Sequence, residues 1–196
     1  MAHQYAKTMF SEAARKLQEK RGSRAQYERM ALYGPSHDQL SDFEIQFIAE
    51  RDSFYMSSVT EDGWPYIQHR GGPPGFLRVI DPRTLAFADY SGNKQYITAG
   101  NLATNDRVAL FLMDYPNQAR LKIIGHARVV EAGADPALEA AVRAKGDPAK
   151  VEWVMKIDIA AYDWNCSQHI TPRYTQQEIQ AAFEAQRQGT PQPEPQ

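Results

Sequence analysis

The chain has 196 residues, of which 42% are hydrophobic and 23% charged, with a formal net charge of −2. That length suits one sizeable domain with terminal extensions, and the near-neutral balance excludes a general basic field for nucleic acid or an anionic membrane surface. No apolar run approaches the roughly 20 residues that a membrane-spanning helix needs.

The N-terminal stretch MAHQYAKTMFSEAARK lacks the apolar core of a secretory signal, and Cys166 is the lone cysteine. An intramolecular disulfide framework is therefore excluded and a cytoplasmic location is expected. Residues 8–30 are charged and Ala-rich, with Phe10, Ala14, Leu17 and Arg21 at helical spacing. One or two surface helices are expected there, closed by a turn at Gly34-Pro35. Ser41-Asp42-Phe43-Glu44 has the form of a capping box, and the helix it opens carries Phe43, Phe47 and Ile48 toward one side before ending near Asp52.

The next ninety residues change period. SFYMSSVT and WPYIQHR flank Glu61-Asp62-Gly63, while FLRVI and TLAFADY flank Asp81-Pro82-Arg83; both connections read as hairpin turns. RVALFLMDY and RLKIIGHARVVEA follow as further strands. About six strands joined by short turns predict an antiparallel barrel rather than a parallel sheet. SGNKQYITAGNLATND, between the fourth and fifth strands, reads as a helix capped by Ser91 or Asn93. Asp135-Pro136 opens a short Ala-rich helix, VEWVMKIDIAAYDWN returns as a strand, and a helix is expected from Thr175 to about Gln186. The final RQGTPQPEPQ is too poor in apolar residues to order itself. The expected division is a helical extension over 1–40, a main domain over 41–175, and a C-terminal helix and tail over 176–196.

Four segments carry candidate chemistry. In YIQHRGGPPGF, strand alternation sets Tyr66, Gln68 and Arg70 on one face and Ile67 and His69 on the other, before glycines that would let a flat ligand approach the backbone. The plainer alternative is a strand, a rigid turn and a surface-paired Arg70. In SGNKQ, unpaired N–H groups and Lys94 would suit a phosphate, the alternative being an ordinary N-cap beside a solvated lysine. Arg120 and Lys122 share one face of the RLKIIG strand, opposite Leu121 and Ile123. In NCSQHITPR, Cys166 and His169 are too few for structural zinc, no second pair lies at metal spacing, and no metal site is expected. The Asn165-Cys166-Ser167 glycosylation pattern reads as chance without a secretion signal.

In their order, PYIQHRGGPPGFLRVID, DYSGNKQYITAGNLATNDRVALFLMDY and RLKIIGHARVVE resemble the pyridoxamine 5′-phosphate oxidase-like group of FMN-binding split barrels, over roughly residues 40–175. The resemblance implies a mainly β fold with flanking helices, a six-stranded antiparallel split β-barrel. It also implies a homodimer with FMN at the subunit interface and an FMN-dependent oxidoreductase acting on a small molecule. Carried over, it implies phosphate contacts from Ser91, Asn93, Lys94 and Gln95, and flavin contacts from Gln68, His69, Arg70 and Gly71. Arg120 would lie at the pyrimidine end of the ring, with Lys122 beside it on the same face. Trp164, Gln168, His169 and Arg173 correspond to a C-terminal arm contributed by the other subunit. A flat slot for the ring would come from Gly71-Gly72 and Tyr90. The Arg-x-Val-Leu-Leu-Lys strand and the C-terminal phosphate signature of the vitamin B6 enzymes are missing, so the resemblance implies the flavin more than that substrate. A deazaflavin-dependent reductase, or a flavin- or haem-binding module without turnover, is the alternative on the same fold. No catalytic acid or base is assigned.

Overall fold

The computed structural model describes residues 3–143 and 150–189; the tail expected at the C-terminus lies, from residue 190 onward, outside the described residues. The N-terminal segment forms three short helices, α1 (Gln4–Met9), α2 (Glu12–Arg21) and α3 (Arg24–Tyr33), where one or two were expected. Local caps divide it. The Ser11 hydroxyl accepts from the Ala14 N–H at 3.2 Å to open α2, and Gly22, at φ 78°, closes it. Helix α4 (Asp42–Ala49) has the expected capping box, and Phe47 and Ile48 are buried. Phe43 instead points outward, 67% exposed, with its ring 5.3 Å from that of Trp164.

The strands are β1 (Ser53–Val59), β2 (Pro65–Gly71), β3 (Arg78–Asp81), β4 (Thr84–Tyr90), β5 (Arg107–Asp114), β6 (Ala119–Glu131) and β7 (Val151–Trp164). They make one antiparallel sheet in the order β2-β1-β5-β6-β7-β4-β3. The sheet therefore has seven strands rather than six, and it is open. The seventh arises because the long VEWVMKIDIAAYDW segment inserts between β6 and β4 and pairs with both. Four strands separate β2 from β4 in hydrogen-bonding order, yet the sheet curls until the two touch through side chains. Arg70 on β2 reaches Asp89 on β4 at 3.0 Å, and the Phe54 ring on β1 lies 5.4 Å from Phe87 on β4. Side chains, not backbone bonds, complete the barrel.

The core inside that curl is built from alternate residues: Phe54 and Met56 of β1, Leu110 and Leu112 of β5, Leu121 and Ile123 of β6, and Met155 and Ile157 of β7, all essentially inaccessible. Helix α5 (Ile97–Thr104) is pinned to β1 by Asn101 Nδ2 donating to Ser58 Oγ at 2.9 Å, a buried pair. A short helix α6 (Pro136–Val142) follows β6, capped as expected by Asp135. Helix α7 (Gln176–Gly189) follows the C-terminal arm, and its side chains through residue 186 are exposed.

The glycine-rich turn after β2 has the packing role that the plainer of its two readings implies. A Cβ on Gly72 would sit 2.7 Å from the Phe76 ring, and one on Gly75 would sit 2.9 Å from the Ala49 carbonyl. The Gly72 and Gly75 N–H groups donate to the Asp52 and Arg51 carbonyls at 2.9 and 3.0 Å. The turn thus clamps β2 against the end of α4, with the Phe76 ring standing against the Cβ position that Gly72 lacks.

Candidate functional site

Strand β2 presents its two faces to two different cavities. Tyr66, Gln68 and Arg70 line a cavity of about 290 Å³ together with Asp89 and Tyr90 of β4, the loop residues Gly92 to Tyr96, and Thr98 of α5. Ile67, from the other face, lines a cavity of about 580 Å³ on the outer side of β1, β5 and β6. That larger cavity also contains Arg120, Lys122, His169 and Arg173.

Of the residues singled out by sequence, Gln68, Arg70, Tyr90, Asn93, Lys94 and Gln95 thus meet in the smaller cavity, and Arg120, Lys122 and Arg173 meet in the larger. His69, Gly71, Ser91 and Gln168 line neither. His69 is exposed beside Tyr55, ring centroids 5.5 Å apart, while the exposed Gln168 donates its N–H to Cys166 Sγ at 3.5 Å. Trp164 turns inward, donating from Nε1 to Glu44 at 2.8 Å.

The smaller cavity is anchored by Arg70. Its guanidinium donates to Asp89 Oδ1 at 3.0 Å and to Thr98 Oγ1 at 3.3 Å, while its Nε is buried with no partner. An unpaired guanidinium N–H in a concave site is a donor held ready for an acceptor. The SGNKQ segment departs from the expected N-cap. Residues 91–95 are loop, and α5 begins only at Ile97 after Tyr96, whose φ is 50°. Lys94 itself is left-handed at φ 59°, and the Asn93 side chain accepts from the Gln95 N–H at 3.2 Å. An Asx turn competes with helical hydrogen bonding here, so the helix starts late and Lys94 precedes it. A non-glycine residue held at positive φ is a strained choice that rigid loops tolerate where they serve a site.

Among the lining residues that escaped the sequence reading are Asp89, Thr98, Glu152 and Trp153. Trp153 stands opposite Asp89 in the β4–β7 register and donates its Nε1 to Asp89 Oδ2 at 3.1 Å, so the carboxylate is shared between an indole and a guanidinium. Tyr96 donates to Glu152 at 2.8 Å; that bond, then burial and the carboxylate's charge, push the phenol's pKa up. Such cross-strand neighbours follow from the register of β4 against β7, which no local motif encodes.

The larger cavity is apolar with a cationic rim. Phe111, Met113 and Ile124 provide the walls, and Tyr5 and Met9 of α1 close one end. Lys122 pairs with Asp163 at 2.9 Å and sits 4.6 Å from the Tyr5 ring. Arg173 lies over the Tyr115 ring at 4.9 Å. Arg120 Nε is buried without a partner. The arm that brings His169 and Arg173 here is held by Gln118, which donates from Nε2 to the Ile170 carbonyl at 2.5 Å; Gln118 and His169 both adopt positive φ.

A curled antiparallel sheet with a donor-lined cavity at its edge strand is the architecture of the split-barrel class. The sequence model of the family described as pyridoxamine 5′-phosphate oxidase matches residues 42–162, and the chain belongs to that family. Among solved structures, a candidate pyridoxamine 5′-phosphate oxidase from Lactobacillus delbrueckii aligns at 19% identity and a TM-score of 0.50, covering 64% of this chain and 94% of that one. HupZ of Group A Streptococcus aligns at 16% identity and a TM-score of 0.52, covering 69% and 100%. At these identities the likeness is one of fold. No curated protein matches the sequence significantly. Among the described residues, no helix is long and apolar enough to cross a membrane.

Proposed function

We propose that this chain is an FMN-dependent oxidoreductase acting on a small molecule, with each flavin held between two copies of the chain. The observation that carries the reading is the convergence of Arg70, Lys94 and Thr98 on one cavity, in a member of a family named for an oxidase, with Arg70 Nε buried and unpaired. These residues fit a phosphate monoester. Arg70 and Lys94 offer charge, and Thr98 offers a hydroxyl. Asp89 fits as the group that orients Arg70 while leaving one guanidinium edge free.

A cavity of about 290 Å³ suits the phosphate and ribityl end better than a whole flavin nucleotide. The complementary features, an apolar wall and the unpaired Arg120, occur on the other side of β2 in the same chain. A two-fold pair of chains would bring the smaller cavity of one against the larger cavity of the other, completing two equal sites. Bound flavin would supply two-electron chemistry at its N5 position. The chain's own part is to bind and orient. Arg70 and Lys94 would fix the phosphate, Arg120 would place positive charge where the reduced ring becomes anionic, and Phe111 and Ile124 would keep water from one side.

Mass spectrometry of the ligand released by heating the purified protein tests the cofactor. FMN at about one per chain is expected; a deazaflavin or haem instead would reassign it. Stopped-flow mixing of the loaded protein with NADH or NADPH tests turnover. A flavin that neither donor nor any tested substrate reduces would leave a binding module, not an enzyme.

A further inference from the structure

We infer that His3, His37 and Asp163 form a binding site for one divalent transition-metal ion, of the zinc, cobalt or nickel type, that staples the N-terminal helices to the barrel. One ligand atom from each of the three residues lies within 4.8 Å of the others. They come from three separate segments: the N-cap of α1, the loop after α3, and the end of β7. His3 and His37 lie N-terminal to the family match at residues 42–162, and Asp163 directly follows it on β7, so the cluster joins this chain's N-terminal segment to the family sheet.

Each residue shows a feature that a cation would explain. His37 Nδ1 is buried with no hydrogen-bond partner, an expensive state for a ring nitrogen. His37 is also held at φ 50°, with its ring stacked on Tyr162 at 4.8 Å and its carbonyl accepting from the Tyr162 N–H at 2.8 Å. The imidazole is thus positioned by strain and stacking while its nitrogen is left unused. His3 is 3% exposed, and its Nε2 faces Asp163 Oδ1 at 3.8 Å, too long for a hydrogen bond. Two ligands on a tetrahedral ion stand roughly 3.3 Å apart, so the His3–Asp163 pair must close by about half an ångström and a pair at the full 4.8 Å by about 1.5 Å. Asp163 Oδ2 is already paired with Lys122 at 2.9 Å, which leaves Oδ1 as the coordinating atom.

The donor set of two imidazoles and one carboxylate, with a fourth position for water, suits borderline ions better than calcium or magnesium. His3 Nδ1 now accepts from the Ala6 N–H at 3.3 Å, so ligation through Nε2 moves the ring proton to Nδ1 and gives up that long capping bond. The inference does not rest on the flavin reading.

The test uses the full chain without an affinity tag, stripped of metal by a chelator. Cobalt titration followed by visible absorption, and zinc titration by calorimetry, should each show saturable uptake at about one ion per chain. His37→Asn and His3→Gln should each weaken uptake about tenfold or more, whereas His126→Ala, at an exposed histidine elsewhere, should bind like the unsubstituted protein. Zinc should also slow tryptic cleavage after Lys16, Lys20 and Arg21 in the unsubstituted chain, a readout that needs no variant to fold. The site is overturned if there is no saturable uptake, or if both histidine variants retain it. The stapling role is overturned if zinc binds and cleavage is unchanged.

Discussion

Replacing Arg70 with methionine keeps the length of the side chain and removes its charge. In the folded chain the guanidinium makes two bonds, to Asp89 at 3.0 Å and Thr98 at 3.3 Å, and lies 5.6 Å from the Phe87 ring centre. Arg70 and Asp89 are 17% and 21% exposed, between the surface and the deep interior. Among the described residues, losing the arginine leaves the Asp89 side chain with the Trp153 Nε1 bond alone, and the expected loss of stability is about 1–3 kcal/mol. Loss of a charged contact to the flavin phosphate should weaken FMN by about 1.5–3 kcal/mol, roughly 10- to 150-fold in Kd. The two effects separate in an Asp89→Asn background. There the stability loss should shrink because no carboxylate is stranded, while the FMN loss should persist. Urea melts report the first and fluorescence titration with FMN the second. If Arg70→Met lowers stability while FMN affinity is unchanged, Arg70 is a strut between β2 and β4, and the phosphate assignment fails.

Lys94 is exposed and makes no ion pair among the described residues, so Lys94→Ala should weaken FMN by about 1.5–3 kcal/mol with little change in urea midpoint; unchanged affinity removes it from the site. If each flavin needs two copies, mixing unfolded Arg70→Met and Arg120→Ala chains and refolding them together should restore about a quarter of the flavin sites, measured as bound FMN per chain. No restoration would place both arginines in one copy's site. Glu44 is pushed up by burial, but bonds from Ser41, Trp164 and backbone N–H groups outweigh this and hold its pKa below the usual 4.5. A depressed carboxylate contributes stability above its unfolded pKa and loses it as pH falls through the folded value, so Glu44→Gln should flatten the acid limb of a stability profile below about pH 4.5. Tyr162 runs the other way, raised to about 12 by burial, the Glu44 charge, a bond to Glu44, and Asp38. Its contribution is intact below the ordinary 10 and should fade as pH rises toward 12; Tyr162→Phe should remove that alkaline slope.

Much of the fold was legible because it is written locally. The Glu61-Asp62-Gly63 and Asp81-Pro82-Arg83 turns stand where their residues demand, and the alternation of β2 and β6 predicts which side chains face together. What is written between distant segments was not legible. VEWVMKIDIAAYDWN was legible as a strand, but its place as a seventh member of the one sheet, paired with both β6 and β4, was not, because that pairing is made between distant segments. The helix after Lys94 started late because Asn93 turned its side chain onto the Gln95 N–H, a competition that a capping pattern does not resolve. For the site, the sequence supplied the cations but not the partner that orients them. Asp89 reads as one more residue of TLAFADY until β2 curls round to meet it.

The pairing of β2 with β1 runs unbroken from Ser53↔Gly71 to Val59↔Pro65, and the two cavities draw on opposite sides of that ribbon. Parity is therefore a functional coordinate. One residue added to the Glu61–Gly63 loop and absorbed as a slip would deliver Ile67 and His69 to the guanidinium's place and turn Arg70 out toward the greasy wall. Two added residues would restore the facing. Loop variants whose added residues shift the register should keep flavin binding only when the shift is even.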